Sequence, residues 1–329
     1  MNYRLLLALL SVIAALLFIA SLLVGPANLD LPTALTGLFS KSNPAATLVM
    51  CEIRLPRAIL GFMIGATLGL SGAVMQGYLR NPLADPAILG VSGAASLGAV
   101  LAIYTGLSAM FPLALPLLAI SGAVAAVLLL QMLAGTNAGT LTLILAGIAI
   151  TSIAGALTSL ALNLSPNPFA AMEMMFWMMG SLTDRSMQHV WLSAPFMIVG
   201  WAMLLVLGRA LNALTLGPQV ASSLGIRLDR TQMLAVLGTA ASVGAATAVA
   251  GTIGFVGLIV PHLLRPFVGS EPSRLLPASA LAGAAIVLAA DIGVRIIAPG
   301  RDLKLGVLTA IVGAPFFLWL VIKHRRDVL

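Results

Sequence analysis

The chain has 329 residues, 60% of them hydrophobic and only 8% charged, with a formal net charge of +7 and a mean hydropathy of +1.09. That is too apolar for the surface of a soluble domain of this size and marks a polytopic membrane protein. In a soluble protein the positive charge would suggest nucleic acid. Here the basic residues gather between apolar runs, where membrane orientation and docking account for them, and no nucleic-acid partner is expected. The lone cysteine, Cys51, excludes a disulfide framework, a Cys-based zinc site and an iron–sulfur cluster within the chain, and reads as a small apolar residue.

In chain order, Arg4 precedes an apolar run over 5–24. With about 20 residues and no convincing small-residue cleavage site, it predicts a first span rather than a signal peptide. A partly polar stretch follows, holding a short amphipathic piece, Leu31 to Phe39, suited to the membrane interface. Arg54 and Arg57 then introduce a second span over 58–78, with Gly61, Gly65, Gly69 and Gly72 down one side. Such glycines let neighbouring backbones approach closely, which is how helices pack in lipid, so this span is expected to be central and crowded. It ends in a polar, proline-marked turn, Arg80-Asn81-Pro82-Leu83-Ala84-Asp85-Pro86.

Spans three and four are expected over 91–111 and 112–134, joined to span five, 141–162, by the short uncharged link 135–140. Span five carries Thr142, Gly147, Thr151, Ser152, Gly155, Thr158 and Ser159, a set suited either to close packing or to a wet path. Thr142, Thr151, Ser152 and Ser159 are its candidate pathway-lining residues. A non-spanning piece from Ser165 to Gln188 follows, rich in methionine (Met172, Met174, Met175, Met178, Met179) beside Phe176 and Trp177. It reads either as a compliant lining for a bulky solute or as an interfacial helix anchored by its tryptophan.

Span six is expected over 190–208, followed by a polar linker over 209–232. Spans seven to ten are placed over 233–251, 253–268, 277–296 and 305–323, ahead of the basic end Lys323-His324-Arg325-Arg326. Ten spans leave no segment able to fold as a sizeable soluble domain, so residues 1–329 read as one all-α membrane domain. An even number of spans puts both termini on one side. Placing them in the cytoplasm sets Arg4, Arg80, Arg209, Arg227, Arg230, Arg265, Arg274, Lys323, Arg325 and Arg326 inside, against Lys41, Arg54, Arg57, Arg185, Arg295, Arg301 and Lys304 outside, a slight positive-inside bias. So basic an outer face suggests an acidic soluble partner as well. His262 follows Pro261 with no second ligand at metal spacing and reads as a packed histidine, so no metal is assigned to the chain.

The run RLPRAILGFMIGATLGLSGAVMQGYLRNPLADPAILGVSGAA, the linker ending Val220-Ala221-Ser222-Ser223-Leu224-Gly225-Ile226, the segments GTIGFVGLIVPHLLRPFVG and Leu275-Leu276-Pro277-Ala278-Ser279-Ala280-Leu281, and LGVLTAIVGAPFF closely resemble the permease subunits of iron–siderophore, haem and vitamin B12 ABC importers. The resemblance runs from about Arg54 to the C-terminus. It implies ten helices per subunit and a dimer, of identical or pseudo-symmetric subunits, with the path along the subunit boundary. It implies a periplasmic binding protein as donor and two cytoplasmic ATPase subunits as the motor, which hold the ATP and magnesium, so that this chain needs no cofactor of its own. The membrane would be the bacterial inner membrane.

Residue by residue, the resemblance implies that Arg54, Arg57 and Arg295 meet acidic residues of the binding protein. By position alone, snorkelling to headgroups is the plainer reading of Arg54 and Arg57, and Arg295 is spaced to pair with Asp291. Asn81 and Leu83 match the family's cytoplasmic gate, although an Asn-Pro turn is also ordinary punctuation. Ala221, Leu224 and Gly225 match the small-residue pattern that seats in the ATPase. One departure stands out: Asp302-Leu303-Lys304 replaces the usual Glu-Leu-Pro before the last helix, which puts the docking detail of that outer surface in doubt.

Two other function classes fit the residues less well. A secondary transporter would be expected to hold several carboxylates or histidines deep in its spans, where only Asp291 and His262 qualify. An intramembrane enzyme would need a nucleophile with a base, or a metal cluster, and neither is present in the sequence. No GxxxxGK[ST] loop occurs, so the energy source must be another chain. The expected function is passage of a metal chelate, ferric siderophore first, with haem or cobalamin as rivals.

Overall fold

The computed structural model describes residues 2–27, 29–39, 43–135, 139–299 and 303–327. Lys41, Thr136, Asn137, Ala138, Arg301 and Asp302 lie outside the described residues, as do the side chains of Lys323, His324, Arg325 and Arg326. The described regular structure is all helical: α1 (Tyr3–Leu23), α2 (Leu31–Phe39), α3 (Pro44–Thr47), a π-helical passage (Leu48–Arg54), α4 (Leu55–Tyr78), α5 (Val91–Tyr104), α6 (Leu107–Met110), α7 (Ala114–Ala134), α8 (Thr140–Asn163) and α9 (Pro168–Met178), then α10 (Met187–Leu205), α11 (Gly208–Leu214), α12 (Pro218–Ser223), α13 (Leu228–Ala250), α14 (Val256–Leu264), α15 (Pro272–Ile297) and α16 (Leu305–Asp327).

The apolar runs expected to span fall on these helices, two of them with breaks. Among the described residues, seven stretches are long and apolar enough to cross a membrane: α1, the continuous run Pro44–Tyr78, α7, α8, α10, α13 and α15. Two more, Val91–Tyr104 and Val256–Val268, are apolar but shorter, and the described apolar part of α16 is Leu305–Leu320. The shortening has local causes. The segment expected to run over 91–111 is cut at Gly106, whose φ of 73° only glycine adopts without strain, and resumes as the single turn α6. Near 253, α13 stops at Ala250, residues 251–254 are non-helical, and α14 restarts after Phe255 at φ 68°. The linker is also shorter than 209–232, because α13 begins at Leu228 and α11 already starts at Gly208.

The glycine-lined helix lies at the centre, as its sequence predicts. Most of α4 from Pro56 to Gln76 is buried, with α15, α14, α13, α10 and α1 packed around it. A Cβ at Gly69 would overlap the carbonyl oxygen of Ser279 on α15, and one at Gly72 that of Gly257 on α14. Backbones that close exclude any larger residue. Small polar groups add specific ties: Trp201 Nε1 donates to Thr67 Oγ1 at 2.8 Å, Ser71 and Ser242 hydroxyls meet at 3.3 Å, and Gln76 Nε2 donates to the Leu258 carbonyl at 3.0 Å. In an apolar surround each is a directional constraint on helix register.

The chain path gives the bundle two ends. The end of α1, the starts of α4, α10 and α16 and the end of α15 gather at one, here the arginine end. The start of α1, the end of α4, helices α11 and α12 and the start of α15 gather at the other, the linker end.

Candidate functional site

At the arginine end the structure brings Arg54, Arg57 and Arg295 together, as expected, but turns their guanidiniums inward. Helix α1 ends with carbonyls that have no helical partner and carry the negative end of its dipole. Arg54 Nη1 donates to the carbonyls of Leu22 and Leu23 at 2.9 Å each, and its Nη2 to that of Ala27. Arg295 Nη1 donates to Ser21 O at 2.9 Å and Val24 O at 2.6 Å, while its Nη2 reaches Ser21 Oγ at 2.7 Å and Asp291 Oδ2 at 2.8 Å. Arg57 clasps the same carboxylate, Nη2 to Oδ1 at 2.8 Å and Nε to Oδ1 at 3.0 Å. Asp291 is thus a buried bridge between α4 and α15. Arg54 is 4% exposed, and contact with a partner through Arg54 or Arg295 requires these bonds to open. Arg57, with 14% of its side chain exposed, is the most accessible of the trio.

At the linker end Asn81 and Leu83 form one tight turn: Asn81 Oδ1 accepts the Leu83 N–H at 2.9 Å and the Ala84 N–H reaches Asn81 O at 3.1 Å, with Arg80 at φ 50°. Asp85 then caps the 3-10 turn Pro86–Leu89 through the Ala87 N–H at 2.8 Å. Burial pushes its carboxyl above the ordinary range, and the Ala87 bond opposes the shift. The turn therefore folds back beside residues 251–254, with which Asp85 shares a cavity of about 130 Å³.

Ala221, Leu224 and Gly225 also converge. Helix α12 ends in paired bonds, Ile226 N to Ala221 O at 3.0 Å and Gly225 N to Ser222 O at 2.9 Å, with Gly225 at φ 83°. This is the Schellman arrangement, which needs a left-handed residue and so selects glycine. Ala221 is buried, whereas Leu224 is 62% exposed at the tip. The preceding α11 is tied to the start of α15: Asn212 Oδ1 accepts the Ser273 N–H at 2.8 Å, and Asn212 Nδ2 donates to Ser273 Oγ at 3.0 Å. Ser273 Oγ in turn donates to Glu271 Oε1 at 2.8 Å, and Glu271 pairs with Arg274 at 2.6 Å.

The four α8 candidates divide. Thr151, Ser152 and Ser159 lie with Gly155 on one exposed stripe, and nothing packs on Gly155. Thr142 is also exposed but sits about two and a half turns before Thr151, on roughly the opposite side. A hollow of about 560 Å³ opens between the end of α9, residues 252–255 and α16, lined by Met178, Met179, Thr252, Phe255 and Ile311 among others. Trp177 is buried in the protein core rather than lying at an exposed interface. His262 faces Phe316 edge-on at 6.3 Å, and no group of three His, Cys, Asp or Glu comes together among the described residues.

Long apolar helices around a crowded central one, an exposed apolar tip on a short linker and a largely apolar hollow beside a broken helix describe a multi-pass membrane protein. The chain belongs to the FecCD transport family, whose model matches residues 13–323. It is 40% identical over 277 residues to the Fe(3+) dicitrate transport system permease protein FecD of Escherichia coli, covering 84% of this chain and 86% of that one. To the vitamin B12 import system permease protein BtuC of Citrobacter koseri it is 40% identical over 280 residues, 85% of this chain and 84% of that one. A solved structure of a metal-chelate type ABC transporter in an inward-facing conformation superposes with a TM-score of 0.85 at 31% identity, covering 96% of this chain and 98% of the other. The chain is therefore an ABC importer permease, and in this family ATP hydrolysis is carried by separate ATPase subunits.

Sequence reasoning paired Arg295 with Asp291 but missed Arg57, 234 residues away from that carboxylate, and the Asn212 clasp on α15. Neither leaves a local signal. A strand-like or helical period identifies faces, not partners across the fold.

Proposed function

We propose that this chain is one of two permease subunits, identical or paralogous, of a bacterial inner-membrane importer that passes a metal chelate from a periplasmic binding protein to the cytoplasm. Ten spans with both termini inside put the arginine end in the periplasm and the linker end against two ATPase subunits. The observation that carries this reading is the Leu224 tip: an exposed leucine on a turn closed by the Gly225 and Ile226 backbone bonds, on a linker whose α11 is tied to α15 through Asn212, is built to be gripped by a second protein. ATP and magnesium belong to those subunits.

In this reading Arg57 offers its guanidinium to an acidic group of the binding protein, while Arg54 and Arg295 hold the platform by fixing the end of α1. Asn81 and Leu83 close the inner end of the path. The stripe of Thr151, Ser152 and Ser159 lines it, with Thr142 near its linker-end mouth. The cargo is a ferric chelate of the siderophore type; a corrinoid such as cobalamin fits the same architecture, and the likeness to both FecD and BtuC supports each.

Purification in mild detergent tests the assembly. The expected product is a dimer of permeases carrying two ATPase subunits, with all ATP hydrolysis in that complex. Hydrolysis by the isolated permease would overturn the division of labour.

A further inference from the structure

Helices α7 and α10 both pack along α13, and between them lies a groove of about 270 Å³. Val124 and Leu128 of α7 line one side, Phe196 and Met203 of α10 the other, and Ala241 and Ala245 of α13 form the floor. Alanines there leave open the space that larger residues would fill. Val124, Leu128 and Phe196 are exposed, so the groove opens on the outside of the bundle. Every lining residue is apolar, and an apolar hollow gives water no partners, so hydrocarbon is its natural filling.

Apolarity alone does not choose the occupant; two polar side chains beyond the linker end of the groove do. Helix α7 runs toward that end and α13 away from it, and they touch where a Cβ on Gly244 would meet Ala123 Cβ at 2.7 Å. Gln131 stands one heptad past the lining residue Val124, and Arg230 one heptad before the lining residue Leu237. A heptad returns to the same helix face within about 20°, so both side chains continue the groove about 10 Å beyond those positions. Counted from the Gly244 contact, Gln131 is level with Val236, and Arg230 lies about 9 Å farther toward the linker end. Neither side chain has a hydrogen-bond partner among the described residues. Arg230 is exposed, and Asp229, the acid beside it, pairs instead with Arg227 at 3.3 Å. An apolar groove that exits past an amide and then a cation matches the order of groups in an anionic phospholipid: acyl chain, ester carbonyls, phosphate. Arginine is the side chain best suited to grip that phosphate.

We infer that the groove between α7, α10 and α13 is a binding site for an anionic phospholipid, one acyl chain lying between Val124 and Phe196, the ester region at Gln131 and the phosphate on Arg230. The importer reading supplies only the leaflet, the cytoplasmic one; the site itself does not depend on it. Helix α13 starts four residues after Leu224, so the lipid is held at the root of the linker.

The test is native mass spectrometry of the purified permease complex, delipidated and then titrated with phosphatidylglycerol or with phosphatidylcholine of the same acyl chains. Phosphatidylglycerol is expected to bind saturably and about fivefold more tightly than phosphatidylcholine, the worth of one arginine at a lipid surface. Arg230→Gln should abolish that preference. Arg4→Gln, the same change at an exposed arginine on α1 at the same end, should leave it as it was. Ala241→Phe fills the floor of the groove and should weaken both lipids about tenfold. Equal affinity for the two lipids in the wild type would overturn the inference, as would equal loss of the preference in Arg4→Gln or unchanged binding in a folded Ala241→Phe. Should Ala241→Phe fail to fold, Arg230→Gln, a surface change, still decides. Unchanged lipid preference in Arg230→Gln with poorer copurification of the ATPase subunits would also overturn it, assigning Arg230 to a protein contact. None of these failures touches the importer reading, which uptake itself decides.

Discussion

Asp291→Asn is expected to destabilise the folded permease by about 3–5 kcal/mol, more than any single surface change. The carboxylate has 2% of its side chain exposed and receives Arg57 from one side and Arg295 from the other, both at 2.8 Å. Asparagine preserves the volume but leaves two buried guanidiniums facing each other without a counter-charge, beside Arg54. The cost is desolvation and repulsion rather than the lost contact alone, so it should be partly relieved when one cation is removed too. The check is thermal unfolding in detergent for the wild type, Asp291→Asn, Arg57→Met and the double variant. The double variant should be more stable than the sum of the singles implies, a coupling energy typical of residues in direct contact. A loss under about 1 kcal/mol for Asp291→Asn would mean that water reaches the cluster and that the bridge between α4 and α15 contributes little.

The second large effect is expected at Leu224. In the isolated chain this residue is 62% exposed, so Leu224→Asp should leave folding and membrane insertion intact. Against a partner the account changes: burying a leucine contributes about 1.5–3 kcal/mol, and an aspartate in its place must be desolvated in an apolar contact at a further cost of several kcal/mol. Copurification of the ATPase subunits should fall at least a hundredfold at limiting concentration, since each 1.4 kcal/mol is a factor of ten. Normal copurification would show that the Schellman turn serves only to connect α12 with α13.

Much of this architecture was legible because in lipid the constraints are severe. Backbone groups must bond within helices, so apolar runs bounded by Arg4, Arg54, Arg80 and Arg209 locate helices directly. The spacing of Gly61, Gly65, Gly69 and Gly72 foretold a helix buried on all sides, and α4 is that helix. The breaks were harder to see. Gly106 and the segment 251–254 interrupt apolar runs in which hydropathy does not change, and left-handed backbone at Phe255 has no compositional signature.

At the candidate sites the local motifs were legible and the long-range partners were not. The turn at Asn81 and the Gly225 stop are written in adjacent residues, since an Asx turn and a left-handed helix cap depend on local chemistry. Sequence places Arg54 and Arg295 at one and the same end, but does not reveal that both guanidiniums turn inward. Their bonds to the α1 carbonyls depend on where α1 ends in space, which no spacing reveals. For the same reason the sequence leaves the Trp177 segment open between a solute lining and an interfacial anchor: the burial of Trp177 comes from packing against α5 and neighbouring helices.

The most direct measurement of the central claim is uptake. The permease, its ATPase subunits and the cognate periplasmic protein are reconstituted in proteoliposomes, and accumulation of labelled ferric chelate or cobalamin is followed with and without ATP on the linker side. The account predicts accumulation that requires ATP, the periplasmic protein and an intact Leu224, and that proceeds without any imposed proton or sodium gradient. Accumulation driven by an ion gradient in the absence of ATP would contradict it.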